Sequence, residues 1–277
     1  MRAQAGRNLP RYLTGYHCRM TEDKGLELAR KFCGIARFDR YLTDTGGDFG
    51  MALSLCKWNH RFAGVLHEQI GYVEICVRNA IDRQLKSLAL AETGYKDWTN
   101  PQHMPDLVSK TVKGQIRQAR DLAQQEKGTS RREITHDDVV SKLMWGTWSK
   151  IVGNAETTEK TEQQQALWRA AVSGAFPNAP QNEQGRLSVA RNLAYLRSAR
   201  NKAAHFDNLS TVSKHKRRVI NASFYLLSSV DKSFTHGWFD ASVLRAMSRE
   251  RQSILQQCPN EGNVIDDTSR ESANNMV

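Results

Sequence analysis

The chain has 277 residues, with 40 lysines and arginines against 29 aspartates and glutamates and a formal net charge of +11. A chain of this length can bury one large core or two small ones. The positive charge favours a polyanionic partner, and because no lipid-binding pattern is present we expect nucleic acid rather than a membrane. The competing interpretation is a generic basic surface.

The five cysteines are scattered, and none belongs to a Cys-x-x-Cys pair. An odd, dispersed set indicates neither a disulfide framework nor a zinc site. No apolar run approaches the ~18 residues that span a bilayer, and the first residues lack the apolar core of a secretory signal. We therefore expect a cytoplasmic protein without metal or organic cofactor.

Helical spacing of apolar residues, together with the absence of proline between residues 20 and 100, predicts an all-α protein. The first helix is predicted to begin at Thr21 and to run past Phe38 to the glycine pair at 46–47. A core helix is predicted over 48–90. Its apolar stripe comprises Phe62, Val65, Leu66, Ile70, Val73, Val77, Ile81 and Leu85.

Later helices follow a proline-rich break at residues 101–105. Thr135 with Asp138 predicts a capping box for a helix that carries Trp145 and Trp148, whose spacing favours core packing over base stacking. The other helices are predicted at 107–126, 161–175, 183–205, 210–231 and 237–256. The predicted organisation is a basic N-terminal arm over 1–20, a single all-helical domain over 21–257 and a disordered tail over 258–277.

The segment 196–205 places Arg200 and His205 five positions apart near the end of a strongly helical stretch. An imidazole exchanges a proton near neutral pH, and a guanidinium matches phosphate oxygens, so the pair indicates phosphodiester chemistry. Asn201 follows the arginine directly. On an ideal helix Arg200 and His205 point about 140° apart, so the helix end bends or two protomers share the site.

Glu74 and Arg78 stand four residues apart on the long helix and predict an ion pair along one face, in either a structural or a functional role. The dipeptide Arg78-Asn79 has a counterpart in Arg200-Asn201. If the two helices pack together, their guanidiniums and amides converge on one polar pocket. That pocket would suit a phosphate.

A run of cations surrounds the end of the Arg200 helix and predicts a surface that neutralises an RNA backbone. A solvated helix face is the alternative. The residues concerned are Lys202, Lys214, Lys216, Arg217 and Arg218.

Three segments resemble the Abi-like (abortive infection) proteins of bacteria, which belong to the HEPN superfamily. The first runs from 51–59 to 73–81 and includes a Glu-x-x-x-Arg-Asn element at Glu74, Arg78 and Asn79. The second combines 139–148 with Leu167-Trp168 and Phe176-Pro177. The third is 196–205, where the chain fits the family's arginine, polar residue and later histidine.

The resemblance implies a HEPN-like helical bundle, with additional helices here, that dimerises through the Arg200 helix. It also implies a composite site for metal-independent RNA cleavage with Arg200, Asn201 and His205 as catalytic residues and Glu74, Arg78 and Asn79 in support. Where many relatives have two histidines, this chain has Ala204 before a single His205.

The leading hypothesis is therefore an endoribonuclease of a bacterial phage-defence or toxin-antitoxin system. Its expected partners are RNA, a second copy of the chain and an antitoxin or another defence protein. The alternative is a non-catalytic HEPN-like module that binds RNA or protein, and a helical scaffold is a third class.

Overall fold

The computed structural model describes residues 22–128, 133–153 and 161–257, and over these ranges it is all-helical with no strand. The predicted basic arm and disordered tail lie outside the described residues. Within them, no helix has both the length and the apolar character to cross a membrane. The α-helices are α1 (Glu22–Cys33), α2 (Ile35–Asp44), α3 (Phe49–Thr93), α4 (Asp106–Lys127), α5 (His136–Lys142), α6 (Trp145–Val152), α7 (Thr161–Ala170), α8 (Glu183–Ala204), α9 (Ser210–Lys214), α10 (Lys216–Val230) and α11 (Ala241–Gln256).

The chain forms two compact units. The described part of the smaller unit comprises residues 22–57 and 252–257, and the larger unit comprises 58–251. The single domain predicted over 21–257 includes both. Every residue of the predicted site lies in the larger unit.

The smaller unit corrects the prediction of one uninterrupted first helix. Gly34 separates α1 from α2 and has a φ of +85°, a conformation that side-chain-bearing residues rarely adopt. In α2 the buried ring of Phe38 meets Tyr41 edge-on at 6.5 Å and lies 6.0 Å from the ring of Phe49. The break therefore lets α2 turn its aromatic face onto the start of α3.

The predicted core helix is confirmed as α3, which extends three residues beyond the predicted end at residue 90. Its stripe is buried at Phe62, Leu66, Ile70, Val73, Val77, Ile81 and Leu85, and only Val65 is half-buried. The three-and-four spacing of these side chains matches the period of a helix with one face in a core. This face is the centre of the larger unit.

The capping box is confirmed: Thr135 accepts from the Asp138 backbone N–H, and the Asp138 carboxylate accepts from the Thr135 N–H. The helix it begins is shorter than predicted. The extended backbone of Leu143 ends α5, and a separate helix, α6, carries Trp145 and Trp148. Both tryptophans are buried, as predicted for core residues.

Three later boundaries also differ from the sequence prediction. The helix expected over 210–231 is two helices, α9 and α10, which meet at His215. The stretch 161–175 ends in a 3₁₀ turn, Val172–Ala175, and α11 begins at Ala241 rather than at residue 237. Short breaks of this kind leave hydrophobic periodicity intact, which is why periodicity does not reveal them.

A cluster of charges connects the end of α3 to the start of α5. The two ring nitrogens of His136 lie 2.8 Å from a carboxylate oxygen of Asp82 and 2.8 Å from one of Asp97. The Trp98 indole N–H donates to Asp82 at 2.9 Å, and the Lys86 amino group lies 2.8 Å from the other Asp82 oxygen. The cluster fastens the start of α5 to α3.

Burial alone would lower the pKa of His136, but its hydrogen bonds to the two carboxylates outweigh burial and raise that pKa to about 9. Burial would raise the pKa of Asp82, yet contacts with His136, Lys86 and Trp98 bring it down to about 2. His136 is therefore a cation at neutral pH and donates from both nitrogens.

We expect the His136 contribution to stability to be complete below pH 6.5 and to disappear as the pH rises to about 9, because the folded pKa is the higher one. The full pKa change corresponds to about 3 kcal/mol, and solvent access at Asp97 reduces this to about 1–3 kcal/mol. The free-energy difference between the wild type and His136→Gln, measured by urea unfolding from pH 6 to 9.5, should shrink accordingly. The exposed His236→Gln is the control, and a constant difference for His136→Gln would contradict the charged cluster.

Candidate functional site

Helix α8 carries the predicted catalytic residues. It begins where the Asn182 side chain accepts from the Gly185 N–H, and it ends at Ala204 with His205 as the C-cap. Its buried face consists of Val189, Leu193, Leu196, Ala199 and Ala203, and it packs against α6 and α10. This packing leaves the polar residues of the motif at the edge of the core.

Arg200 reaches from α8 to α3, where its Nε lies 4.0 Å from a carboxylate oxygen of Glu74. Both side chains are partly buried, at 34% and 21% exposure. The pair therefore holds the guanidinium at the junction of the two helices. This contact brings the Glu74 and Arg200 segments together, which was the condition for a shared polar pocket.

Burial raises the pKa of Glu74, and the positive charges of Arg200 and, to a lesser extent, Arg78 oppose that rise. Burial therefore makes the charged form of Glu74 unfavourable, and the charge of Arg200 offsets more of this effect than any other neighbour does. Glu74 fixes Arg200 in place but also cancels part of its charge.

The predicted ion pair between Glu74 and Arg78 is replaced by another arrangement. The Glu74 carboxylate pairs across the helix boundary with Arg200, and Arg78 instead donates from Nε to the side-chain oxygen of Asn79 at 3.3 Å. The half-buried Arg78 also opposes the raised pKa of Glu74, but less than Arg200 does.

A cavity of about 740 Å³ opens between α4, α6, α7 and α8, and both Arg200 and Asn201 line it. The lining includes two further cations, Lys150 and Arg197, and contains no aspartate or glutamate among the described residues. Arg78 and Asn79 do not line it, so only one of the two Arg-Asn pairs contributes to this pocket.

His205 is exposed and is not among the residues described as lining this cavity. Its placement follows from the helix, since a residue five positions after Arg200 is rotated by about 140°. The α8 backbone remains helical through Ala204, so no bend brings the two side chains to the same face.

The segment that follows His205 has a strained turn. The Asp207 N–H donates to the Lys202 carbonyl and the Phe206 N–H to the Ala203 carbonyl, the pattern of a Schellman helix end. The residue that takes the left-handed conformation is normally glycine, but here it is Phe206, with φ +48°. Its ring stacks on His60 of α3, with centroids 5.0 Å apart.

The fully buried side chain of Asn59 fixes the same turn. Its amide nitrogen donates to the Asp207 carbonyl at 2.9 Å, and its oxygen accepts from the Leu209 N–H at 2.9 Å. Two hydrogen bonds to a buried amide hold the strained backbone against α3. His205 therefore extends from a well-positioned turn.

The predicted RNA-binding cations lie around α8, α9 and α10. Arg218 covers the ring of Tyr195 at 4.3 Å from its centroid. With Lys202 and His215 it lines a second cavity of about 190 Å³ on another side of α8. Lys214 and Arg217 are exposed, and Lys216 is half-buried.

The sequence analysis missed two cations of the larger cavity. Arg197 lies one helical turn before Arg200, so the i, i+3 spacing within α8 would have predicted it. No sequence signal associates Lys150 with Arg200. Lys150 lies on α6, and its amino group donates to the side-chain oxygen of Gln115 on α4 at 3.1 Å. Only the packing of α4, α6 and α8 brings these groups together.

We expect Phe206→Gly to be more stable than Phe206→Ala by about 1 kcal/mol. Both variants lose the ring and its contact with His60, but only alanine keeps a Cβ that is strained at φ +48°. Thermal unfolding of both proteins measures the difference. Glycine and alanine substitutions at the exposed helical residue Ser198 serve as controls. There the alanine variant should be the more stable one, because alanine is favoured within a helix. A more stable alanine variant at both positions would contradict backbone strain at Phe206.

Comparison with known proteins gives no relative for this chain. No protein-family model, no curated protein and no solved structure matches it. The resemblance to Abi-like proteins therefore rests on the three sequence segments alone.

Proposed function

We propose that this chain is a metal-independent endoribonuclease of the HEPN type, acting in bacterial phage defence or as a toxin, and that Arg200, Asn201 and His205 carry the reaction. One observation supports this most: Arg200 and Asn201 lie together in the wall of a cationic cavity whose described lining residues include no aspartate or glutamate. A polyanion is favoured there on charge alone. The net charge of +11 points to the same partner.

The proposed chemistry is cleavage by the neighbouring ribose hydroxyl. His205 accepts the proton of the 2′-hydroxyl as its oxygen bonds to phosphorus, and the bond from phosphorus to the 5′-oxygen breaks. The leaving 5′-oxygen takes a proton from water, the protonated His205 returns its proton to solvent, and the products are a 2′,3′-cyclic phosphate and a 5′-hydroxyl. Arg200 stabilises the charge on the pentacoordinate phosphorus, and Asn201 orients the phosphate.

The proposed site is composite, with His205 of one protomer acting beside Arg200 of the partner. Support comes from the divergence of the two side chains on α8 and from the exposed face of that helix. This face includes Ala194, Ser198, Asn201, Ala204 and His205, whose small or short side chains allow close approach. A two-fold dimer through this face would form two equal sites, each with one His205 and one Arg200.

Glu74 acts as a positioning residue in this proposal. Its carboxylate, 4.0 Å from Arg200 Nε, sets the direction of the guanidinium without touching the RNA. The same pair also favours the alternative, a non-catalytic RNA-binding module, because it gives Arg200 a structural partner. That module would bind RNA with a steep salt dependence but would not cleave it.

We expect purified protein to cleave mixed cellular RNA in excess chelator and to leave cyclic-phosphate ends. His205→Ala should lower the rate at least 100-fold, the lower end of general acid–base contributions, while RNA binding and helical circular dichroism are unchanged. The exposed His236→Ala is the matched control. If wild type and His205→Ala both bind RNA and neither cleaves it, the binding module replaces the nuclease.

We expect light scattering to give twice the 31.4 kDa mass of one chain. Arg200→Ala and His205→Ala chains should each be inactive, yet mixing them after partial unfolding should restore cleavage. Random pairing gives one intact composite site in half of the dimers, so about a quarter of the wild-type rate is expected. A monomer that cleaves RNA, or a mixture that stays inactive although it forms heterodimers, would contradict the shared site.

A further inference from the structure

The larger cavity has the size and polarity of a nucleotide site. Its volume of about 740 Å³ falls within the range of about 300–1,000 Å³ that is usual for ligand pockets. Lys150, Arg197 and Arg200 supply positive charge to its wall, and of these only Arg200 lies within ion-pair distance of a carboxylate among the described residues.

Arg197 is exposed and lies against the start of α6. A Cβ built on Gly146 would lie 3.6 Å from the guanidinium carbon of Arg197, which places this cation next to the first turn of α6. The start of a helix carries partial positive charge from its unpaired N–H groups, and Met144, the N-cap of α6, makes no side-chain capping bond. An anion bound there would face both the guanidinium and these N–H groups.

Carboxamides form another part of the lining. Gln118 and Asn201 are exposed and line the cavity from α4 and α8, and Gln115 is held by Lys150 through its side-chain oxygen. A carboxamide offers both a donor and an acceptor, which is the complement of a base edge. A phosphate next to the cations and a base next to the amides together make one nucleotide.

We propose that this cavity binds one nucleotide of a single-stranded RNA, with its phosphate at Arg197, Lys150 and the start of α6 and its base at Gln115 and Gln118. The nucleotide lies next to the phosphate held by Arg200, so this inference rests on the proposed function for the identity of the strand. It adds a binding site that the Arg200 to His205 motif does not contain. Specificity for a base at this position would come from the two glutamines.

The test uses a fluorescent RNA with 2′-O-methyl groups, which cannot be cleaved by the 2′-hydroxyl route, and measures binding by anisotropy at several salt concentrations. Arg197→Gln should weaken binding about tenfold and lower the salt slope by about 0.7, the value for one phosphate contact on a single strand. Arg191→Gln, which removes an exposed cation from α8 outside the cavity, should change neither. Equal effects of the two variants would overturn the proposal.

A second pair of variants tests the base end of the cavity. Gln118→Glu introduces a carboxylate into the cavity and should weaken binding at least tenfold, because it repels the phosphate and changes a hydrogen-bond donor. Gln124→Glu makes the same change at an exposed position of α4 outside the cavity and should have little effect. Circular dichroism verifies that all four proteins are folded.

Competition separates a nucleotide from a bare anion. A mixture of ribonucleoside 5′-monophosphates should displace the labelled RNA from the wild type at lower concentration than inorganic phosphate does. Equal displacement would overturn the base contact. The binding assay does not depend on cleavage, so the two proposals can fail separately. If Arg197→Gln loses binding but the wild type has no nuclease activity, only the proposed function is rejected. If the wild type cleaves RNA but the cavity variants bind it normally, only this inference is rejected.

Discussion

Burial of the apolar face of α3 is the constraint on which the larger unit depends. Phe62, Val73 and Ile81 are fully buried at helical spacing, and other members of the same stripe fill the turns between them. Each such side chain contributes about 1.5–3 kcal/mol when it leaves water. Because this face is fixed in the core, the residues at its margin are fixed too. Asn59 is held where it meets the turn after α8, and Glu74 where it meets Arg200 near the end of α8.

The cations that stabilise the fold and the cations of the large cavity have different neighbours. Where a cation stabilises the structure, it is surrounded by acceptors: His136 lies between two carboxylates, and the fully buried Arg186 binds Glu183 and the Val152 carbonyl. In the large cavity, Lys150 and Arg197 face no carboxylate of the described lining. Uncompensated cations lower stability slightly, and they are retained most readily where an external anion completes the site.

The sequence was sufficient to predict elements whose signal is local. The stripe of α3, the Thr135 capping box and the extent of α8 all arise from contacts within a few turns of one helix, and each was predicted to within three residues. Breaks at Gly34 and His215 were missed because an interruption of one or two residues does not disturb the period of the apolar residues on either side. The ion pair of Glu74 was assigned to the wrong arginine because its burial is a tertiary property.

The sequence by itself determined that the chain is helical and basic and that Arg200, Asn201 and His205 share one helix end, because composition and helical geometry are local. Only the tertiary structure decided that Arg200 faces Glu74 and a cavity with no carboxylate among its described lining residues, while His205 lies outside that lining. The walls of that cavity come from four helices separated by loops. Periodicity tells which face of a helix is buried, but packing alone selects the neighbour that covers it.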